Sequence, residues 1–122
     1  MQKMQNKQES SIIEQLKNLY YLPSEVAWLE NDINQLKSTN DPVWAETIDL
    51  ETKRLNKCRN DIETLTSIIN GVNDLILRQV LTLHFAVGLG WGQVAIEVGG
   101  TGAACKQMAY RWVRKMEENK DA

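Results

Sequence analysis

Six side chains between residues 55 and 72 follow a strict heptad spacing, and this pattern constrains the fold more than any other feature of the chain. They are separated by alternating steps of three and four: Leu55, Cys58, Ile62, Leu65, Ile69 and Val72. A helix with such a seam packs against another helix. The spacing leaves two partners open. Earlier helices of the same chain can fold back on the seam as a hairpin, or a second copy can join it in a coiled-coil homodimer.

The remaining sequence is also helical in its periodicity, because apolar residues recur at steps of three and four and no segment alternates as a strand does. The predicted helices run over 10–21, 24–37, 42–70, 74–87, 91–98 and 101–118. Asp41 before Pro42 reads as a helix cap, and Gly71 as a hinge. We therefore predict an all-α fold, with a helical hairpin or coiled-coil assembly segment over residues 9–72 and a second unit over 73–118.

Composition narrows the class of protein. The chain has 122 residues, 43% of them hydrophobic and 25% charged, which suits a globular domain. It contains no apolar run of about 20 residues and no apolar core in its first eight residues, so we expect neither a membrane span nor a secretory signal. With two cysteines and one histidine, we expect no disulfide framework, no zinc site and no cofactor. A reducing cytoplasm is the expected compartment.

Charge is distributed unevenly along the chain. The net charge is −2, yet residues 78–115 contain five basic side chains and one acidic side chain, a balance of +4. The preceding 77 residues have a balance of −4. A basic segment at this position suits a negatively charged partner.

The segment from Trp91 to Tyr110 has the residue pattern of a helix-turn-helix. Ala95 is small where two helices would cross closely, and Gly99 stands where the turn needs a positive φ. Thr101 is placed to cap the second helix. The slots that would lock the helices together hold apolar residues: Val94, Val98, Cys105 and Met108.

The last helix has two contrasting faces. Its predicted inward face comprises Cys105, Met108, Ala109, Trp112 and Met116. The opposite face comprises Ala103, Lys106, Gln107, Tyr110 and Arg114, with Arg111 beside it. Arginine and lysine suit phosphates and guanine edges, and glutamine suits adenine edges, in a major groove that admits a helix. A solvated face of a helical bundle is the alternative interpretation.

Residues 74–116 resemble the fourth region of bacterial sigma factors. The segments that carry the resemblance are Asp74–Arg78, Gly88–Ala95 and Arg111–Met116. The chain as a whole resembles the small sigma-region-four-like regulators of phages and prophages, of the RinA/ArpU/LtrC type. This resemblance implies a regulator of the bacterial host cytoplasm that binds promoter double-stranded DNA and activates late phage genes through host RNA polymerase. It places Thr101, Lys106, Gln107 and Tyr110 against DNA, with Arg111, Arg114 and Lys115 near phosphates.

Two other classes of function stay open at this point. One is a sigma mimic that binds RNA polymerase or another regulator without reading DNA, which the side-chain-poor stretch Gly102–Ala104 favours. The other is a DNA-packaging protein like a small terminase subunit, although such proteins usually place the DNA-binding unit first. An enzyme is not expected, because His84 has no accompanying nucleophile and both cysteines fall in apolar slots. Trp28 and Trp44 lie beside the heptad register and suit either the core or a partner surface.

Overall fold

The computed structural model describes residues 11–121, and over this range the chain is helical with no strand. The predicted all-α class is confirmed for the described residues. The described residues form six α-helices: α1 (Ile12–Leu19), α2 (Leu22–Ser38), α3 (Ala45–Asn70), α4 (Leu75–Leu81), α5 (Trp91–Val98) and α6 (Gly102–Asp121). The described range does not include residues 9 and 10 of the predicted assembly segment. It also does not include the first eight residues, in which we expected no secretory signal.

Two predicted helices differ from the structure in a way that has a local cause. The predicted helix 42–70 begins with a 3₁₀ turn, Pro42–Trp44, in which the Asp41 carboxylate accepts a hydrogen bond from the Val43 amide at 3.0 Å. The predicted helix 74–87 is α-helical only to Leu81 and continues as a π-helical turn over Thr82–Ala86. π-Helical turns are rare and are often found at functional sites.

Proline and side-chain caps fix where several helices begin. Pro23 lies in the first turn of α2, where its missing amide costs nothing, and this helix begins at Leu22, two residues before the predicted start at 24. Ser11 and Glu14 form a reciprocal capping box at α1. The Asp74 carboxylate accepts from the Leu77 amide at 3.0 Å and caps α4.

The heptad seam of α3 contacts two different partners along its length. Its first half packs on α2, where Leu29 and Ile33 meet Leu55 in a small buried cluster. Its second half contributes Leu65 and Ile69 to the main core.

The main core draws on residues from both sides of Gly71. Besides the end of α3, it buries side chains from α1, α4, the π-helical turn, α5 and α6: Leu16, Leu19, Val80, Leu81, Phe85, Val94, Ala95, Cys105, Ala109 and Val113. The Glu117 carboxylate of α6 also accepts a hydrogen bond from the Ile12 amide at 3.1 Å, so α6 ends at the beginning of α1. α1 is therefore part of the same packed body as α4 to α6.

One acidic side chain interrupts the seam of α3. Glu51 stands four residues before Leu55 and three after Ile48, in the heptad register, and is only 7% exposed. Burial raises the pKa of the Glu51 carboxyl above its ordinary value, and the neighbouring Asp32 carboxyl, with which it shares a hydrogen bond, raises it further. One Glu51 oxygen, Oε1, has no hydrogen-bond partner among the described residues.

None of the described helices is both long and apolar enough to cross a bilayer.

Candidate functional site

The turn between α5 and α6 is made by two glycines with positive φ. Gly99 has φ 97° and ψ 165°, a region that is essentially restricted to glycine, and Gly100 has φ 85°. The Gly99 amide donates to the Ala95 carbonyl at 2.7 Å and closes α5. The Thr101 hydroxyl accepts from the Ala104 amide at 3.1 Å and opens α6. These contacts let two helices follow each other with only three residues between them.

Gly102 has a packing role that the sequence did not reveal. By its intrinsic helix propensity, Gly102 is an unfavourable residue at the start of α6. In the structure, a Cβ at this position would lie 3.2 Å from the Gly92 amide nitrogen and from the Trp91 carbonyl carbon, closer than most side-chain contacts. The first turns of α5 and α6 therefore approach each other backbone to backbone.

The inward face of α6 is wider than predicted. Cys105 and Ala109 are buried, and the other expected members, Met108, Trp112 and Met116, are half-buried. Val113 was not predicted but is only 4% exposed. α1 and α4 pack on α6 in addition to α5. These two further helix contacts widen the part of the α6 circumference that is apolar.

The eight residues predicted to face DNA lie along the part of α6 that is left uncovered. Seven are exposed, and Tyr110 is half-buried: Thr101, Ala103, Lys106, Gln107, Tyr110, Arg111, Arg114 and Lys115. The three ion pairs formed by the described residues all lie in α2 and α3. The four cations of this surface, Lys106, Arg111, Arg114 and Lys115, are thus not neutralised by an acidic side chain within 4 Å in the described part of the chain, and they can contact an external anion.

An aromatic cluster supports this surface from beneath. The Trp91 ring stacks on His84, with 3.6 Å between centroids and 15° between planes. Trp91 also lies edge-on to Phe85 at 6.1 Å and 6.3 Å from Tyr110, whose ring is 5.9 Å from the Lys106 ammonium. The cluster links the π-helical turn to the exposed face of α6, and sequence reasoning missed Trp91 as a site residue because its ring partners come from two other segments, the π-helical turn and α6.

His84 is half-buried, as the sequence suggested, and is fixed by one hydrogen bond. Its Nδ1 lies 2.7 Å from the Leu89 carbonyl oxygen, so the neutral ring donates a proton there. Burial lowers the pKa of His84 below its ordinary value, and the hydrogen bond to Leu89 opposes part of that decrease.

This environment predicts a pH dependence of stability. A histidine whose pKa is lowered by folding takes up its proton first in the unfolded chain, so its contribution is present above about pH 6.5 and is lost as the pH falls below that value. We expect the melting temperature of the wild-type protein to fall more steeply between pH 7 and pH 5 than that of His84→Gln. Parallel pH profiles of the two proteins would contradict this expectation.

The two cysteines are free and shielded. Cys105 is buried in the main core, and Cys58 is half-buried between α2 and α3. Burial raises the pKa of the Cys58 thiol, and the Glu25 and Asp61 carboxylates raise it further, so this thiol is a weak nucleophile. In the described part of the chain, no three His, Cys, Asp or Glu side chains are grouped so that they could hold a metal ion.

The chain matches no protein-family model, no curated protein and no solved structure. Function must accordingly be argued from the α5–α6 surface itself.

The turn geometry gives a prediction with a matched control. Gly99→Ala meets no neighbouring atom, so its cost comes from the backbone alone, and we expect a loss of about 1–3 kcal/mol in the free energy of unfolding. Gly92→Ala also meets open space but lies inside α5, where alanine is the better helix former, and we expect a gain of about 0.4–1 kcal/mol. Urea unfolding of the two variants measures both. Equal effects of the two substitutions would show that the turn does not depend on a glycine conformation.

Proposed function

We propose that the protein is a DNA-binding transcription regulator in which α5 and α6 form a helix-turn-helix and α6 enters the major groove. The observation that carries the proposal is the exposed cationic face of α6, held at a fixed angle by the glycine turn and free of ion pairs with described residues. A rigid helix with an unneutralised basic face has the size and charge to contact the floor and the phosphate edges of that groove.

The residues on this face divide into two groups by position. Thr101 caps α6, and Lys106, Gln107 and Tyr110 lie in its N-terminal part, which reaches base edges when a recognition helix enters the groove. Arg111, Arg114 and Lys115 follow them along the helix and are assigned to phosphates. Ala103 offers only a methyl group, which suits contact with a thymine methyl. Specific reading would thus depend on few side chains.

The whole-chain role we propose is that of a sigma-region-four-like phage regulator acting in the cytoplasm of a bacterial host. It would activate late genes by binding promoter DNA and contacting host RNA polymerase. The segment 9–72 would provide a helical hairpin for assembly or polymerase contact, and 73–118 the DNA-binding unit. A second anchor of this kind is needed because the three residues assigned to phosphates give only modest affinity alone. We propose no enzymatic activity.

The test is fluorescence anisotropy of the purified protein with labelled fragments of the genome that encodes it, at two salt concentrations. We expect one fragment to bind well above the others. With four cations on the face, log Kd should change with log salt with a slope of magnitude about 3 to 4. Binding to no fragment, or a salt-independent affinity, would contradict the proposal.

Two features favour a second candidate function, a sigma mimic that binds RNA polymerase or another regulator without reading DNA. The first turn of α6, Gly102–Ala104, lacks polar side chains, and Ile96 on α5 is 75% exposed. Uniform weak binding to all fragments, together with capture of purified RNA polymerase, would support this candidate. A ring-shaped oligomer in light scattering would instead favour a packaging protein.

A further inference from the structure

A stripe of side chains that are exposed except for the half-buried Asp32 runs along α2 beside its buried seam. Tyr21, Glu25, Trp28 and Asp32 are spaced by four, three and four residues, so they share one side of the helix. Tyr21 is 65% exposed and Trp28 is 56% exposed. A tryptophan this exposed is uncommon on a surface that contacts only water.

A second stripe with the same spacing runs along α3. It consists of Leu50, Arg54, Lys57 and Asp61, and Leu50 is 48% exposed. Arg54 forms no ion pair within 4 Å among the described residues, whereas Lys57 pairs with Asp61 at 2.9 Å. Lys57 is 76% exposed in this pair, so the pair contributes little by itself.

Contacts across the helix pair place both stripes on the same side. The Asp32 carboxyl of α2 and the Arg54 guanidinium of α3 both act electrostatically on the buried Glu51 carboxyl, so both lie on its side of the helix pair. Glu25 and Asp61 both act on the Cys58 thiol, which lies between the helices. We call the surface made by these two stripes the paired-helix face. Its opposite side carries the ion pair of Glu30 with Arg59.

The paired-helix face has Trp28 at its middle and is unevenly charged across its width. The α2 stripe carries two acids, Glu25 and Asp32, whereas the α3 stripe carries two bases, Arg54 and Lys57, and one acid, Asp61, which pairs with Lys57. A molecule that complements this face is therefore basic over α2 and carries an acid over Arg54 and Lys57 of α3. The chain itself has that distribution, because a two-fold axis parallel to the helices sets the α2 of one copy over the α3 of the other.

We propose that the paired-helix face binds a second copy of this chain, with α2 of each copy lying on α3 of the other. The antiparallel packing of α2 on α3 puts Glu25 level with Cys58 and Asp32 level with Glu51. In the dimer, Glu25 therefore lies opposite Lys57 of the second copy, Trp28 lies opposite Arg54, and Asp32 lies opposite Leu50, within one helical turn of Arg54. Trp28 is buried over the Arg54 side chain, whose guanidinium can stack on the ring. The other two-fold arrangement, α2 on α2, brings acidic side chains together and basic side chains together, and is disfavoured for that reason.

This arrangement has a consequence for the two copies of α6. An axis parallel to the helices leaves the copies parallel, so both sets of α4 to α6 lie at the same end of the dimer. The consequence for DNA, recognition of two half-sites related by a two-fold axis, rests on the proposed function. The dimer itself does not, and it is measured in the absence of DNA.

The test is analytical ultracentrifugation of the full chain from low to high micromolar concentration. We expect a concentration-dependent dimer whose dissociation constant rises at least tenfold in Trp28→Ala but not in Ile96→Ala, a control at an even more exposed apolar residue, which lies on α5 outside the face. Added salt should weaken the dimer, because unlike charges meet. A wild-type chain that stays monomeric throughout, or a dimer that salt strengthens, would overturn the proposal.

A charge exchange makes the test specific for the two stripes. The pair Glu25→Lys/Asp32→Lys makes both stripes basic, and the pair Arg54→Glu/Lys57→Glu makes both acidic. We expect each variant alone to be monomeric and an equimolar mixture of the two to form a heterodimer. The control Glu63→Lys/Glu118→Lys reverses two exposed acids outside the face and should dimerise as the wild type does. Circular dichroism shows that each variant is folded, and a folded mixture that remains monomeric would refute the proposed pairing.

Discussion

The double variant Lys106→Ala/Arg114→Ala is expected to bind the preferred DNA fragment about 10- to 100-fold more weakly than the wild type at moderate salt. Both side chains are exposed on α6, and neither is neutralised by an acid within 4 Å in the described residues. Each side chain can therefore attract DNA with its full positive charge. The difference in DNA affinity between this variant and the wild type should shrink as salt increases. The reason is that salt weakens the electrostatic contribution that these two cations make in the wild type.

The control for this experiment removes the same number of positive charges elsewhere. Lys37→Ala/Lys53→Ala changes two exposed lysines of α2 and α3, where the ion pair of Lys53 with Asp49 is exposed and weak. We expect its DNA affinity to stay within about twofold of the wild type, since long-range charge effects at moderate salt are screened beyond roughly 10 Å. Equal losses in both double variants would mean that DNA responds to net charge and not to the α6 surface. Full affinity of the α6 variant would favour the sigma-mimic interpretation.

Leu16→Ala is expected to lower the free energy of unfolding by about 3–5 kcal/mol and to loosen α4 to α6. Leu16 is fully buried in the main core, although it lies more than 50 residues before α4 in the sequence. Removing its side chain leaves a cavity against residues of the C-terminal helices. The loss is a large part of the 5–15 kcal/mol typical of small proteins. Urea unfolding measures the magnitude, and hydrogen exchange shows which helices open.

Leu29→Ala provides a control of the same chemistry and almost the same burial. Leu29 is 1% exposed but belongs to the small cluster between α2 and α3. We expect its substitution to speed hydrogen exchange in α2 and the first half of α3, with little change in α6. If Leu16→Ala leaves exchange in α4 to α6 unchanged, then α1 does not support the C-terminal helices, contrary to the packing described above.

The local features of the C-terminal half follow closely from the sequence. Gly99 has the positive φ that the pattern required, Thr101 caps α6, and Val94, Ala95 and Cys105 are buried. These features depend on residues within a few positions of one another, for which single-residue conformational preference and helical period are sufficient. The aromatic support under Tyr110 could not be predicted in this way, because His84 and Trp91 meet only when the π-helical turn sets their rings face to face.

What the sequence by itself determined is the helical class, the periodic faces of the helices and the basic character of the last one. What only the tertiary structure decided is which faces meet. The same heptad seam of α3 serves α2 in its first half and the main core in its second, and α1 joins the core of helices that follow it by more than 50 residues. Hydrophobic periodicity predicts that a helix face is buried, but it does not predict the partner, because many apolar surfaces can cover the same face. Packing of particular side chains makes that choice, and here it decides which part of α6 stays exposed.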